Sequence, residues 1–331
     1  MAVPSTLLAV TTRSDRVESE HYGQIAVSDA KGQLLVSFGD PSIPTYMRSS
    51  AKPFQAVTAV RLGVADQYHW TDEELAIVCA SHAAEAGHLV LVRSILAKAG
   101  LSPSDLRCGP HPPMNSEEKE WLDRSGGFPQ KIHNNCSGKH AGMLAGCMAM
   151  GWPKESYLAK EHPWQKENLR SIARFSGIEA SSILTGTDGC GVPSFFLSVQ
   201  AMATAFARLA NPSLLDEPEA GAAGRVYRAM TSQPRTIAGR GKFNTQLAAF
   251  LGDRAVAKSG AEGVFCLGLR QPALGIAIKI SDGNSRVHPT IVCRLLEEFL
   301  PEYPWSDFLP KVDRPIVNTL DEPVGRIVAA I

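Results

Sequence analysis

Ala255-Val256-Ala257-Lys258, Val264-Phe265-Cys266-Leu267-Gly268-Leu269 and Leu274-Gly275-Ile276-Ala277-Ile278-Lys279-Ile280 are apolar runs separated by short connections. Their length and content of Val, Ile, Leu and Phe predict strands, and Ser281-Asp282-Gly283 turns the chain after the last. The other end of the sequence reads alike. Leu7–Thr12 and Gln24–Ser28 are apolar-rich, and Leu34–Phe38 follows the turn Asp29-Ala30-Lys31-Gly32.

Between these two groups the pattern is helical. Lys52–Leu62 is periodic and ends at Gly63, and Thr71-Asp72-Glu73-Glu74 is a capping box that opens a helix toward Cys79. Gly87–Ala99, Gly138–Met150, Trp164–Phe175, Ser194–Leu209 and Glu219–Thr231 each stop near a Gly or Pro. Pro289–Phe299 predicts a late helix, and Arg326–Ile331 a last strand. Strands, helices, then strands again is the order of an α+β fold, not of alternating βαβ units. The economical assembly joins both ends of the chain in one antiparallel sheet with the helical middle packed on it. No repeat or linker interrupts residues 1–331, which read as a single domain.

Composition narrows the function classes. The 331 residues are 44% hydrophobic and 20% charged, with 33 Lys plus Arg against 33 Asp plus Glu. A balanced charge gives no electrostatic reason to expect nucleic acid or an anionic membrane. No segment approaches the roughly 18 apolar residues of a membrane span. The start, Met1 to Val10, lacks a basic region ahead of its apolar run, so a cytoplasmic protein is expected. Seven scattered cysteines suit buried thiols, or a metal or catalytic role for a few, better than a disulfide framework.

Three segments carry candidate chemistry. In Arg48-Ser49-Ser50-Ala51-Lys52-Pro53-Phe54, Ser49 and Lys52 share a face at a helix start. The lysine is a base for the serine only if desolvation or positive neighbours depress its pKa. Cys79-Ala80-Ser81-His82-Ala83-Ala84-Glu85-Ala86-Gly87-His88 crowds polar groups into an interhelical connection, which by itself reads as a turn with Glu85 capping the next helix. Lys258-Ser259-Gly260-Ala261-Glu262-Gly263 offers a cation, a hydroxyl and an open backbone on an edge strand, or simply a hairpin turn. A fourth set, Asn134 to His140 and Thr187 to Pro193, makes Cys136, His140, Asp188, Cys190 and His133 a ligand pool for a zinc-like ion; buried free thiols are the alternative.

S-x-x-K, a serine-bearing loop and K-S-G, in that order, resemble the active-site segments of serine β-lactamases, penicillin-binding proteins and serine-type glutaminases. Added to them, Asn134-Asn135-Cys136-Ser137-Gly138-Lys139-His140-Ala141-Gly142-Met143 and Asp188-Gly189-Cys190-Gly191-Val192-Pro193 resemble the rhizobial-type, or class 3, L-asparaginases, from about Glu18 to Gly283. The resemblance implies hydrolysis of L-asparagine to L-aspartate and ammonia by a homodimer with a serine β-lactamase-like fold. It implies two Ser–Lys pairs, Ser49 with Lys52 and Ser81 with Lys258, with Ser49 the leading nucleophile.

It implies a zinc ion held by Cys136, Lys139 and Cys190, and substrate contacts from Arg48, His82, Asp188, Gly189, Ala261 and Glu262. Arg48 is the expected partner of the substrate's α-carboxylate, and Asp188 and His140 are the expected orienting groups. As a ligand Lys139 must be neutral, well below its usual pKa of about 10.4. One departure stands out. The family's Arg-x-Asp-Thr-like segment is replaced here by Lys242-Phe243-Asn244-Thr245, a change that bears on KM more than on reaction type. A glutaminase-like or β-lactamase-like hydrolase, and a non-catalytic amino-acid binder, are the rival readings.

Overall fold

A computed structural model of the protein describes residues 5–313 and 315–331. Met1–Pro4, part of the start that lacks a basic region, lie outside the described residues. Among the described residues twelve strands form, in chain order β1 (Thr6–Arg13), β2 (Arg16–Asp29), β3 (Leu34–Phe38), β4 (Pro44–Tyr46), β5 (Leu184–Thr187), β6 (Pro193–Ser198), β7 (Ala255–Gly260), β8 (Val264–Leu269), β9 (Leu274–Ile280), β10 (Ile316–Val317), β11 (Pro323–Gly325) and β12 (Ile327–Ala329). The main sheet runs β12-β1-β2-β9-β8-β7, with β3 also paired to β2 and all neighbours antiparallel. Both ends of the chain meet where β2 pairs β9, Ile25 opposite Ile278. The fold is α+β, with the helical middle on one face of this sheet.

Period-2 alternation explains the layers. Ala26, Val256, Cys266 and Ala277 pack in the cluster that includes the helical middle. Their neighbours Ile25, Val27, Phe265, Leu267, Ile276 and Ile278 pack with the helices Phe243–Leu251, His288–Phe299 and Trp305–Val312 on the other face. The face toward the middle is lined with small residues because helix Val199–Ala210 lies directly on it. A Cβ at Gly275 would stand 1.8 Å from the Ala203 carbonyl oxygen, and one at Gly268 2.2 Å from that of Phe206.

The segment expected as one helix, Ser194–Leu209, is divided. Ser194 to Ser198 belongs to β6, between β4 and β5, and the helix starts at Val199. A short apolar run suits strand or helix equally, so the partner strands decide. Ser198 then caps the helix, its Oγ accepting from Ala201 N at 3.1 Å. The division matters for position: Met47 N donates to Phe195 O at 2.9 Å, which fixes the chain as it enters the 3-10 turn Arg48–Ala51. Among the described residues no helix is long and apolar enough to cross a membrane.

Candidate active site

Three segments far apart in sequence meet at one hydroxyl. Lys52 stands at the start of helix Lys52–Arg61, Ser81 just beyond helix Asp72–Cys79, and Lys258 on the edge strand β7. Lys258 shares its strand face with Val256, so the alternation that buries Val256 against the helices aims Lys258 the same way. Ser81 Oγ lies 3.0 Å from Lys52 Nζ and 2.9 Å from Lys258 Nζ. Lys52 also donates to Ala80 O at 2.6 Å and Asn135 O at 3.4 Å, and Lys258 to Ser259 O at 2.8 Å. Both amines are buried, 1% and 0% exposed, so water does not screen one from the other. Burial, and after it the charge of Lys52, holds Lys258 well below its ordinary pKa. Lys258 is therefore the group able to accept the Ser81 proton while Lys52 donates to the same oxygen.

Each segment carries backbone held in the left-handed region by a residue other than glycine: Arg48 (φ 52°), Ala84 (φ 59°) and Glu262 (φ 61°). Such conformations persist only where surrounding contacts enforce them. His82 supplies one such contact. It is fully buried, its Nδ1 accepts from Ala84 N at 3.1 Å, and its Nε2 bonds Ser137 Oγ at 2.8 Å. Ser137 Oγ donates to Ile132 O, so the ring donates through Nε2. Burial, then neighbouring His88 and Lys52, holds the imidazole well below its ordinary pKa. With both nitrogens bonded inside the protein, His82 fixes the Ser81 loop to helix Ser137–Met150. Glu85 and His88 form a reciprocal cap on the next helix, the plain role the sequence suggested.

Ser49 lies in the 3-10 turn, partly exposed, one turn ahead of Lys52. The Lys52 backbone N–H donates to Ser49 O, but among the described residues no side-chain hydrogen bond joins the Ser49 hydroxyl to the Lys52 amine, which faces Ser81. Arg48 Nε donates to Asp188 Oδ1 at 2.7 Å, and its Nη1 stands 4.0 Å from Glu262 Oε1. Gly189 and Ala261 are exposed at the rim, and a Cβ on Gly189 would sit 4.0 Å from an Arg48 nitrogen.

Cys136, Lys139 and Cys190, the set the resemblance implied, lie together. Lys139 Nζ donates to Cys190 Sγ at 3.0 Å, Cys136 Sγ lies 3.3 Å from Asn135 Oδ1 and Cys190 Sγ 3.8 Å from Asp188 Oδ2. The neighbouring Cys136 thiol, and then Lys139, pulls Cys190 down to about 5 against burial. The Cys190 sulfur, together with burial, pushes Cys136 up to about 12. Burial opposes the charge of Lys139, but Cys190, Cys136 and Asp188 outweigh it and hold the amine above its ordinary value. Burial likewise opposes ionisation of Asp188, and Lys139 and Arg48 overcome it.

Among the described residues no three His, Cys, Asp or Glu side chains are grouped for a metal. The Lys139 nitrogen is what would complete a three-donor set. Two sulfurs and one nitrogen, buried together, fit zinc by donor type, provided that the ion displaces the proton that the neighbouring sulfurs and Asp188 hold on Lys139 and the one burial holds on Cys136. His140, placed beside them, accepts through Nδ1 from the Tyr157 hydroxyl at 2.7 Å, an orientation set by the Arg107 N–H donating to that hydroxyl's oxygen. Burial, and then Lys139, pushes its imidazole down to about 3.

A cavity of about 320 Å³ opens in front of Ser81 and is lined by Lys242, Asn244, Ser259, Arg286 and His288, among others. The departure at Lys242 and Asn244 thus falls on the site wall, where Asn244 Nδ2 donates to Ser259 Oγ at 3.2 Å. The sequence reading did not find Asn135, whose carbonyl holds Lys52, or Arg286 and His288. Asn135 lay within a motif already singled out; Arg286 and His288 carried no local signal.

A family model described as L-asparaginase II matches residues 9–329. No curated protein matches. Among solved structures, Mglu in its native form is 15% identical over 83% of this chain and 63% of that chain, TM-score 0.46. This chain therefore spans a little under two thirds of that protein's length. A β-lactamase (Mb2281c) from Mycobacterium bovis is 14% identical over 84% of this chain and 94% of that one, TM-score 0.44. The Bacillus subtilis glutaminase YbgJ, in covalent complex with 5-oxo-L-norleucine, is 15% identical over 83% and 87%, TM-score 0.38.

Proposed function

The chain belongs to the L-asparaginase II family, an amidohydrolase family, and on that premise we propose that it hydrolyses L-asparagine to L-aspartate and ammonia. The observation that carries the mechanism is the Lys52–Ser81–Lys258 junction. Two buried amines separated by one hydroxyl oxygen do not both hold a proton easily. Lys258, held well below its ordinary pKa by burial and Lys52, takes the hydrogen bond of the Ser81 hydroxyl, and this reading requires Lys52, one turn from Ser49, to be neutral when substrate binds. Lys52 then takes the Ser49 proton as the oxygen attacks the side-chain amide carbon. As the C–N bond breaks, the proton returns by way of Ser81 to the leaving ammonia. Water, deprotonated by the same amine, cleaves the aspartyl ester and restores Ser49.

Cys136, Lys139 and Cys190 are the residues that would hold a zinc ion, and the ion would supply a Lewis acid beside the serines. Asp188 holds Arg48 and Lys139 in place by charge. The working form in this reading is a cytoplasmic homodimer; light scattering reads its mass.

A second reading makes Ser81 the nucleophile, because it alone of the two serines lines the cavity and bonds both amines. Ser49→Ala and Ser81→Ala are both expected to lower kcat by about 10²–10⁴. Trapping with a diazoketone analogue of asparagine, followed by peptide mapping, identifies the nucleophile. Ammonia release by Ser49→Ala within about tenfold of the parent removes Ser49 from that role. Glutamine, one methylene longer, is expected to be slower by about 10–200-fold in kcat/KM. Near-equal values would favour a glutaminase-like hydrolase.

A further inference from the structure

A zwitterionic amino acid needs a cation for its α-carboxylate, and the arginine first expected there is already engaged. Arg48 is paired with Asp188 and approached by Glu262. The cavity in front of Ser81 presents the opposite balance: Lys242 and Arg286 line it, and among the described residues no carboxylate does.

Arg286 is held in an uncommon way. Its Nη2 and Nε lie 3.0 and 3.3 Å from Nε2 of His21, which is 2% exposed on β2. A guanidinium donates and never accepts, so this ring nitrogen carries the lone pair and the ring proton is on Nδ1. Nδ1 donates to Asp282 Oδ2 at 2.9 Å. Asp282 is itself fixed, its Oδ1 accepting from Asn284 N at 2.8 Å, and Asn284 Oδ1 accepts from Arg286 N at 3.1 Å. The guanidinium is oriented by a ring-nitrogen lone pair, and the Asp282 carboxylate stands behind the imidazole. Among the described residues Nη1 of Arg286 has no hydrogen-bond partner.

We infer that Arg286 anchors the substrate's α-carboxylate in the cavity before Ser81, and that His21 and Asp282 are positioning residues that aim it. Lys242 adds a second, exposed cation to the same wall. The inference rests on the amidohydrolase reading above and assigns the substrate as an amide that bears a free carboxylate.

The test is the steady-state kinetics of Arg286→Gln in the full-length protein. KM for L-asparagine is expected to rise at least tenfold, with kcat within about threefold of the parent, since a carboxylate remote from the reacting amide is bound alike in ground and transition states. Inhibition constants separate charge recognition from general damage. That of L-aspartate should rise in parallel with KM, while that of β-alanine, which is aspartate without its α-carboxylate, should move less than about twofold.

His21→Gln is expected to raise KM part of the way and to add nothing in the Arg286→Gln background. Asp282→Asn replaces it should His21→Gln fail to fold. An unchanged KM in Arg286→Gln, or equal weakening of aspartate and β-alanine, overturns the anchor. A parent protein that releases no ammonia from asparagine overturns the activity instead, so the two failures are told apart.

Discussion

Replacing Lys258 by Met tests the electrostatics of the site through stability as well as rate. Met keeps most of the buried stem and removes the amine, so packing changes little. Two hydrogen bonds go, to Ser81 Oγ and Ser259 O, each contributing about 0.5–1.5 kcal/mol. Against this, the parent buries an amine beside a second amine. Cys79 and Cys266 near it are pushed up to about 12 by burial, so neither offers a counter-charge at neutral pH.

Burial and Lys52 lower the pKa of Lys258 in the folded state, whereas in the unfolded chain it is about 10.4. Between those two values the unfolded chain binds more protons than the folded one. The parent is therefore destabilised at low pH and gains stability as pH rises, by at most about 1.4 kcal/mol per pH unit for one proton. Lys258→Met lacks this slope. Urea unfolding of both proteins at several values between pH 6 and 9 should show the variant's relative stability falling as pH rises. Lys160→Met, at an exposed lysine, should track the parent. Over the same range Lys258→Met should lose about 10²–10⁴ in kcat. Parallel stability curves for the parent and Lys258→Met would refute the account, because Lys258 would then hold its proton equally in both states.

Two further outcomes follow from other parts of the molecule. Gly275→Ala puts a methyl where only 1.8 Å separates it from the Ala203 carbonyl oxygen, so helix Val199–Ala210 must retreat; a loss of about 3 kcal/mol or more is expected in urea unfolding. Cys190→Ser is expected to abolish most zinc binding by the purified protein, read by atomic emission after dialysis against metal buffer, whereas Cys147→Ser, at a buried cysteine away from the cluster, should leave it unchanged. Equal zinc in both variants would remove Cys190 from the ligand set.

Much of the architecture is local in origin. Val264–Leu269 and Leu274–Ile280 form strands with the bounds their apolar runs suggested, and the Thr71 capping box opens its helix with both reciprocal bonds in place. The error at Ser194 to Ser198 has a physical cause: the run is too short to carry a period, and pairing with β4 and β5 settled it. Helix Phe243–Leu251 went unread behind Gly239 and Gly241, yet it carries Asn244 to the cavity wall.

Residue types and their order, read in this chain alone, sufficed for the α+β layout and for singling out the segments that carry Lys52, Ser81 and Lys258, whereas the Cys136–Lys139–Cys190 set came from the family resemblance. Which hydroxyl faces which amine was decided in three dimensions. Lys52 and Ser81 are 29 residues apart and Ser81 and Lys258 177 apart, so their meeting depends on strand register and on helices seated on a sheet face of glycine and alanine. Short-range spacing placed Lys52 next to Ser49; packing turned its amine toward Ser81. The charge balance around the arginines was equally hidden, because pairing Arg48 with Asp188 and Arg286 with His21 requires contacts across 140 and 265 residues. Sequence period fixes which face a side chain takes, and only the packing of faces fixes what it meets there.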